Sequence, residues 1–228
     1  MKIIPITAVY FLLALAGTNA SAGVSLSQTR LVFLHSESTK TITVRNSGSE
    51  VYLVQPTITE WGTNKQAGVF TVLPPLFRLE ANSGNVLRVQ RTGGQLPQDR
   101  ESVFNFKVNV IPAGRKPESD ASVSVSLGIG VKLFYRPEGL KINVKDAYGM
   151  LTFHRDKEEI VVRNPTPYYQ TFSRLTLGGR AVKLDKSQAM LAPYSELRYP
   201  GGMLDNVAEW TLITDYGANS DVFHATVD

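Results

Sequence analysis

The chain has 228 residues, of which 43% are hydrophobic and 19% are charged, a composition typical of a globular protein and not of a disordered or membrane-embedded one. Its formal net charge of +4 is too small to indicate a nucleic-acid-binding protein. The absence of cysteine excludes a disulfide framework and a thiolate metal site.

The first 22 residues have the pattern of a secretory signal peptide. Lys2 precedes an almost wholly apolar run, residues 3–16, and Ala20-Ser21-Ala22 supplies the small residues that signal peptidase accepts. A membrane anchor is the alternative, but the run is shorter than the roughly 20 residues that span a bilayer. We therefore expect cleavage before Gly23 and export of a soluble mature protein that is not embedded in a membrane.

Short segments with the period of β-strands follow along the chain. Residues 24–33 and 39–46 alternate apolar or β-branched with polar side chains, and Pro56 breaks a third segment, residues 51–61. No window has a sustained helical period. These features, with turn signals between the segments, predict an all-β sandwich fold.

A second series of strands follows Pro137. It includes predicted strands at residues 141–144, 171–177 and 181–184, the last two joined by a hairpin turn at Gly178-Gly179. The length suits two domains of ordinary size. We predict a signal peptide at residues 1–22 and two domains, 23–136 and 137–228.

The segment from Ser122 to Leu133 is the most regular strand pattern in the chain. Its apolar residues alternate with serine, glycine and Lys132, so one face is wholly apolar; the row is Val123, Val125, Leu127, Ile129, Val131 and Leu133. Two interpretations are open. The segment is either an interior strand that fills its own core or an edge strand that lends its apolar row to another protein.

No constellation of residues indicates catalysis or metal binding. His35, His154 and His224 are widely separated and have no metal-ligand spacing. The adjacent carboxylates Glu158-Glu159 point to opposite faces of a strand and cannot act as a pair. We therefore predict that the protein is not an enzyme and has no cofactor.

Several motifs, in order along the chain, resemble those of the periplasmic pilus chaperones of the chaperone/usher pathway. The matching segments are Thr29-Arg30, the run from Leu96 to Pro112, Lys132-Leu133-Phe134-Tyr135-Arg136-Pro137, Asn164-Pro165-Thr166-Pro167-Tyr168-Tyr169 and Thr214-Asp215-Tyr216-Gly217. The resemblance implies two immunoglobulin-like domains set at an angle. It also implies a chaperone that binds pilus subunits, prevents their premature polymerisation and delivers them to an outer-membrane usher.

The resemblance also implies three sets of site residues. Arg30 and Lys132 match the cations that bind the C-terminal carboxylate of a pilus subunit. Glu101, Arg136 and Asp215 match a salt-bridge cluster between the domains; without the resemblance they would read as unrelated surface charges. Val123, Val125, Leu127 and Ile129 would be the strand donated to the subunit, which favours the edge-strand interpretation.

Two positions and one loop qualify the match. Asn105 replaces the family's usual aromatic residue and Lys107 its usual asparagine, which puts the local packing of that strand in doubt. The segment 113–121 is short and polar, as in the short-loop branch of the family.

The alternative function is a secreted two-domain receptor or fibre component, and self-association of a free chaperone is a further possibility to test.

Overall fold

The structure, a computed structural model, describes residues 23–113, 127–185, 187–201 and 206–228. The predicted signal peptide, Val123 and Val125 lie outside these residues. Within them the chain forms two β-sandwiches, which confirms the all-β prediction. Among the described residues, no helix is long and apolar enough to cross a membrane.

The first sandwich packs two sheets around one core. Its strands are β1 Val24–Leu26, β2 Arg30–Leu34, β3 Thr39–Asn46, β4 Tyr52–Glu60, β5 Phe70–Leu73, β6 Phe77–Leu79, β7 Gly84–Arg91, β8 Ser102–Pro112 and β9 Leu127–Arg136. One sheet has the order β1-β3-β7-β5 and the other β2-β9-β8-β4-β6. Alternate side chains of both sheets meet in the core, among them Phe33, Phe70 and Phe106.

The second sandwich begins with a single helical turn. Its elements are α1 Val144–Ala147, β10 Thr152–Asp156, β11 Glu159–Arg163, β12 Gln170–Leu177, β13 Arg180–Ala181, β14 Met190–Leu191, β15 Glu196–Pro200, β16 Val207–Leu212 and β17 Phe223–Thr226. One sheet has the order β10-β11-β15, and the other runs β13-β12-β16-β17 with β14 also paired to β12. Trp210, Phe153 and Tyr199 are the largest fully buried side chains of this second core.

Two predicted strands of the first sandwich differ in the structure. Residues 24–33 form two strands, because the chain leaves the β1 sheet near Gln28 and enters the other sheet as β2. Pro56 does not break β4. Its missing N–H is tolerated because β6 pairs only residues 52–54 of β4, so beyond them this edge of β4 has no strand of the sheet beside it.

Two predictions for the second sandwich were also wrong. Residues 141–144 are not a strand: Asn143 caps α1 by accepting a hydrogen bond from the Lys145 N–H, 2.9 Å long. The strand predicted at 181–184 is reduced to Arg180–Ala181. The turn at Gly178-Gly179 was predicted correctly, and both glycines have the positive φ that such a turn requires.

Candidate functional site

A cleft of about 770 Å³ lies between the two sandwiches. The first sandwich lines it with Thr29, Arg30, Trp61, Asn105, Phe106, Lys107, Gly130, Val131 and Lys132, and the second with Thr171, Phe172, Leu184, Asp185, Ala189, Ile213 and Gly217. Its size is in the range of ligand-binding clefts. Both predicted carboxylate-binding residues are in this lining.

Arg30 and Lys132 are neighbours across a parallel strand pair. They are register partners in β2 and β9, which brings together two cations that are far apart in sequence. Arg30 is 9% exposed and its Nη1 donates a hydrogen bond to the Ile213 carbonyl, 2.8 Å away in the second sandwich. Lys132 Nζ lies 5.3 Å from the centre of the Trp61 ring.

Of the two cations Arg30 and Lys132, the lysine has no carboxylate partner among the described residues. Burial and, to a smaller extent, the charge of Arg30 together lower the pKa of Lys132 to about 8. Burial also lowers the pKa of Arg30, while Asp215 acts in the opposite sense. Among the described residues no carboxylate forms an ion pair with Lys132. The cleft therefore presents positive charge that a bound anion would stabilise.

Glu101, Arg136 and Asp215 come together at the junction of the sandwiches. Arg136 Nε donates to Glu101 Oε1 at 2.8 Å, and its two Nη atoms donate to the Asp215 carboxylate at 2.7 and 2.9 Å. These carboxylates raise the pKa of Arg136 although burial opposes them. Burial raises the pKa of Glu101, which is 4% exposed.

Glu101 also forms two hydrogen bonds to the backbone of the second sandwich. Glu101 Oε2 accepts a hydrogen bond from the Tyr169 N–H at 2.9 Å, and the Glu101 N–H donates to the Pro167 carbonyl at 2.9 Å. Beside these bonds lies a small apolar cluster to which both sandwiches contribute; its members are Val32, Val103, Phe134, Tyr169 and Met190. The salt-bridge cluster of Glu101, Arg136 and Asp215 therefore lies where it can fix the orientation of the two sandwiches. This role stays a prediction.

The apolar row of β9 passes from solvent into the core. Leu127 is 56% exposed, Ile129 and Val131 are partly buried, and Leu133 is fully buried. β2 pairs only residues 132–136 of β9, whereas β8 pairs the strand from Leu127 to Tyr135. In the described part of the chain, residues 127–131 thus have one edge without a partner strand.

Asn105 and Lys107 do not disturb the packing of β8. They alternate with Phe104, Phe106 and Val108, which fill the core, so both polar side chains lie on the opposite face. Asn105 Nδ2 donates to the Glu60 carbonyl at 3.1 Å, and Lys107 Nζ donates to Asn64 Oδ1 at 2.9 Å. The replacements change the lining of the cleft and not the core.

The sequence analysis did not single out Thr171 and Trp61, two residues of the cleft. Thr171 is 4% exposed, and its Oγ1 has no hydrogen-bond partner. Trp61 contacts Lys132, although no spacing relates them in sequence. The strand pattern of β12 is the only signal that includes Thr171, and it does not distinguish a lining residue from a core residue. No group of metal-ligating side chains occurs in the described ranges.

The chain is similar to known pilus chaperones over its length. The family described as pili and flagellar-assembly chaperone, PapD N-terminal domain, matches residues 23–141, and the PapD C-terminal domain matches residues 146–224. The probable fimbrial chaperone protein ElfD of Escherichia coli O157:H7 is 32% identical, with 96% of this chain and 94% of that protein covered. The chaperone protein LpfB of Salmonella typhimurium is 35% identical, with 95% and 94% covered.

Solved structures agree with these matches. The E. coli chaperone DraB has a TM-score of 0.79 at 35% identity, with 90% of this chain and 97% of DraB covered. The SafB chaperone of Salmonella enterica, solved in complex with the SafA pilin, has a TM-score of 0.79 at 31% identity, with 90% and 96% covered. The fold class predicted from the sequence, two immunoglobulin-like domains, is confirmed.

Proposed function

Because the chain belongs to the PapD family of pilus-assembly chaperones, we propose that it captures pilus subunits by donating β9 to them and anchoring their C-terminal carboxylate on Arg30 and Lys132. Like its relatives, it is a fimbrial chaperone of the chaperone/usher type and not an enzyme. The alternative of a receptor or fibre component is set aside. The mode of capture, the partners and the compartment are the proposal.

The anchor rests on the charge balance of the cleft. A carboxylate placed between Arg30 and Lys132 would receive charge-assisted hydrogen bonds from both, each contributing about 1.5 to 3 kcal/mol net. It would also supply the anion that Lys132 lacks among the described residues. Every polypeptide ends in such a group, so this contact would set the register of the bound chain and leave selectivity to other contacts.

The proposal that β9 is donated to the subunit rests on one observation, the unpaired edge of this strand. Along residues 127–131 the backbone can pair with an added strand, while Leu127 and Ile129 are only partly covered by the protein's own core. Strand addition of this kind is the recognition mode known for chaperone–pilin complexes. Each valine or leucine that enters a subunit groove would contribute about 1.5 to 3 kcal/mol before ordering costs. Val123 and Val125 would continue the row.

The remaining parts of the proposal concern location and partners. We propose that residues 1–22 are a signal peptide, that the mature chain works in the periplasm, and that it divides at Pro137 into domains 23–136 and 137–228. SafB was solved with a pilin, which supports a subunit as partner here. We also propose that it delivers the subunit to an outer-membrane usher, as the resemblance to the chaperone/usher proteins implies. Self-association of the free chain through the open edge is a further part of the proposal.

Single thiols test the donated strand, because the natural chain has no cysteine. Leu127→Cys and Val207→Cys introduce thiols at positions that are 56% and 50% exposed. The tagged variants are purified from periplasm alone and with the subunit that co-purifies. We expect Cys at position 127 to react with a maleimide in the free protein and to be protected in the complex. Position 207, in the second sandwich, should react in both.

Equal reactivity of the thiol at position 127 in the free and the bound protein would contradict strand donation. Normal capture by Lys132→Ala would contradict the anchor. The two parts of the proposal therefore fail separately.

A further inference from the structure

We propose that Lys107 forms a second anion-binding subsite in the cleft, which binds the carboxylate of an aspartate or glutamate side chain in the captured subunit. This inference rests on the proposed function, because it assumes that the subunit's C-terminal segment occupies the cleft. It would make Lys107 a residue that determines which subunits are accepted, in addition to the sequence-independent anchor.

The position of Lys107 relative to the anchor is fixed by the strand register. Lys132 lies opposite Asn105, and Gly130 lies opposite Lys107, so the two lysines share one face of the β8-β9 pair. Two residues along a strand correspond to about 6.5 to 7 Å. An extended segment whose terminal carboxylate is held at Lys132 would therefore have a residue about two positions from its end level with Lys107.

The charge of Lys107 is not neutralised among the described residues. Its Nζ donates to the neutral amide oxygen of Asn64, at 2.9 Å, and forms no ion pair. The nearby carboxylate of Glu60 pairs with Lys65 at 3.2 Å. A carboxylate from a ligand would therefore meet an ammonium group that has no competing anion.

Asp185, the acid of the second sandwich in the cleft lining, is already engaged. Its Oδ1 accepts hydrogen bonds from the Ser187 N–H and hydroxyl and from the Gln188 N–H, at 2.7 to 2.8 Å. These bonds lower the pKa of Asp185 and satisfy its charge locally. The lining thus has three cations, Arg30, Lys107 and Lys132, against this one acid.

Gly130 leaves the surface beside Lys107 bare. A Cβ at this position would lie 3.3 Å from the Phe106 carbonyl oxygen and 3.6 Å from Cγ of Lys107. A larger residue would crowd the lysine stem and cover part of the cleft lining. Glycine instead allows a bound segment to approach the sheet next to the ammonium group.

Thr171 gives an independent indication that this cleft receives a polar ligand. Its hydroxyl is buried and unpartnered, and the residue lines the same cleft from the second sandwich. A buried hydroxyl without a hydrogen bond is costly, so such groups call for an explanation. A bound segment with polar atoms at this depth would supply the missing partner.

Peptide binding tests the subsite. The probes are ten-residue peptides with a free C-terminal carboxylate: one neutral peptide with glutamines, and five that each carry a single glutamate at one of the last five positions before the terminal residue. Binding to the full-length mature protein is measured by calorimetry. We expect one glutamate position to strengthen binding about two- to fivefold over the neutral peptide, the effect of one partly exposed ion pair.

Variants assign the effect to Lys107. The preference for glutamate should disappear in Lys107→Gln and reverse in Lys107→Glu, which should bind that glutamate peptide more weakly than the neutral one. It should persist in Lys145→Gln, which removes one positive charge from α1, outside the cleft lining. Thermal melting of each variant checks that it is folded.

The outcomes separate the subsite from the anchor. Equal binding of all peptides to the wild-type protein, or a glutamate preference that survives in Lys107→Gln, would overturn the subsite and leave the anchor intact. Binding of the neutral peptide that is unaffected by Lys132→Ala would instead contradict the proposed function.

Discussion

The two ends of β9 differ in nearly every physical respect. The outer segment, residues 127–132, has an open edge over most of its length, a partly exposed apolar row and a lysine without a carboxylate partner among the described residues. The inner segment, residues 133–136, is paired on both edges as far as Tyr135, buries Leu133 and Tyr135, and ends in Arg136 with two carboxylate partners. One strand thus combines an outer half with an unpaired edge, which we propose binds the subunit, and an inner half that is paired and buried within the fold.

The two cations show most directly what this difference means. Lys132 and Arg136 are four residues apart, and burial lowers the pKa of both. Glu101 and Asp215 reverse the shift for Arg136, whereas the charge that shifts the pKa of Lys132 is that of another cation, Arg30. A buried cation with its anions present supports structure, and one whose anion is missing indicates a place for a ligand.

The largest expected effect comes from placing the same charge at the two ends of the row. Leu133→Asp would bury an unpaired carboxylate in the first core and should unfold the protein or lower its stability by more than about 4 kcal/mol. Leu127→Asp should leave thermal melting near that of the wild type and abolish subunit capture, because the carboxylate would have to enter an apolar groove. Val125→Asp is expected to behave like Leu127→Asp.

Melting curves and a subunit pull-down measure the two properties separately. A large loss of stability in Leu127→Asp would mean that the outer segment belongs to the core after all. That result would reject strand donation.

The cations provide the second contrast. Arg136→Leu leaves Glu101 buried without its partner and should destabilise the protein by about 3 to 5 kcal/mol in chemical denaturation. Lys132→Met removes a desolvated charge, keeps most of the apolar stem, and should leave stability unchanged or raise it. If both variants lost the same stability, Lys132 would be a structural residue and the contrast between the two ends would fail.

Much of this arrangement could be predicted from the sequence, because its signals are local. Alternation predicted the strands, and Gly178-Gly179 predicted its turn, since each pattern depends on neighbours along the chain. The local signals failed where strand pairing decided the result. Pro56 is tolerated because no strand of the sheet pairs with that edge of β4 at this position. Residues 24–33 form two strands because their two halves pair in different sheets.

The site required information that is not local. Arg30 and Lys132 meet because β2 and β9 pair in parallel, which only the resemblance to pilus chaperones suggested. The resemblance could not predict the role that we propose for Lys107, where this chain departs from the family, or the unpartnered hydroxyl of Thr171. Both depend on which side chains surround a residue from other strands.

The smallest expected effect is a pH dependence that differs in sign between binding and stability. Below pH 8, Lys132 is charged in the free protein, and a bound carboxylate would keep it charged at higher pH. Raising the pH from 7 to 9 deprotonates Lys132 in most of the free protein molecules, so capture should weaken by about tenfold. Lys132→Arg stays charged and should show little of this change, which makes it the control for titration of the subunit.

Stability should change in the opposite direction. The pKa of Lys132 is about 8 in the folded chain and 10.5 when unperturbed, so between these values the unfolded state binds more protons. The stability of the wild type relative to Lys132→Met should therefore rise as the pH increases from 8 toward 10.5, and should be lowest below pH 8. Denaturant titrations of both proteins at pH 7 and 9.5 measure this difference. A relative stability that falls with pH would mean that Lys132 has an anionic partner in the free protein, and the two ends of β9 would then no longer differ in charge balance.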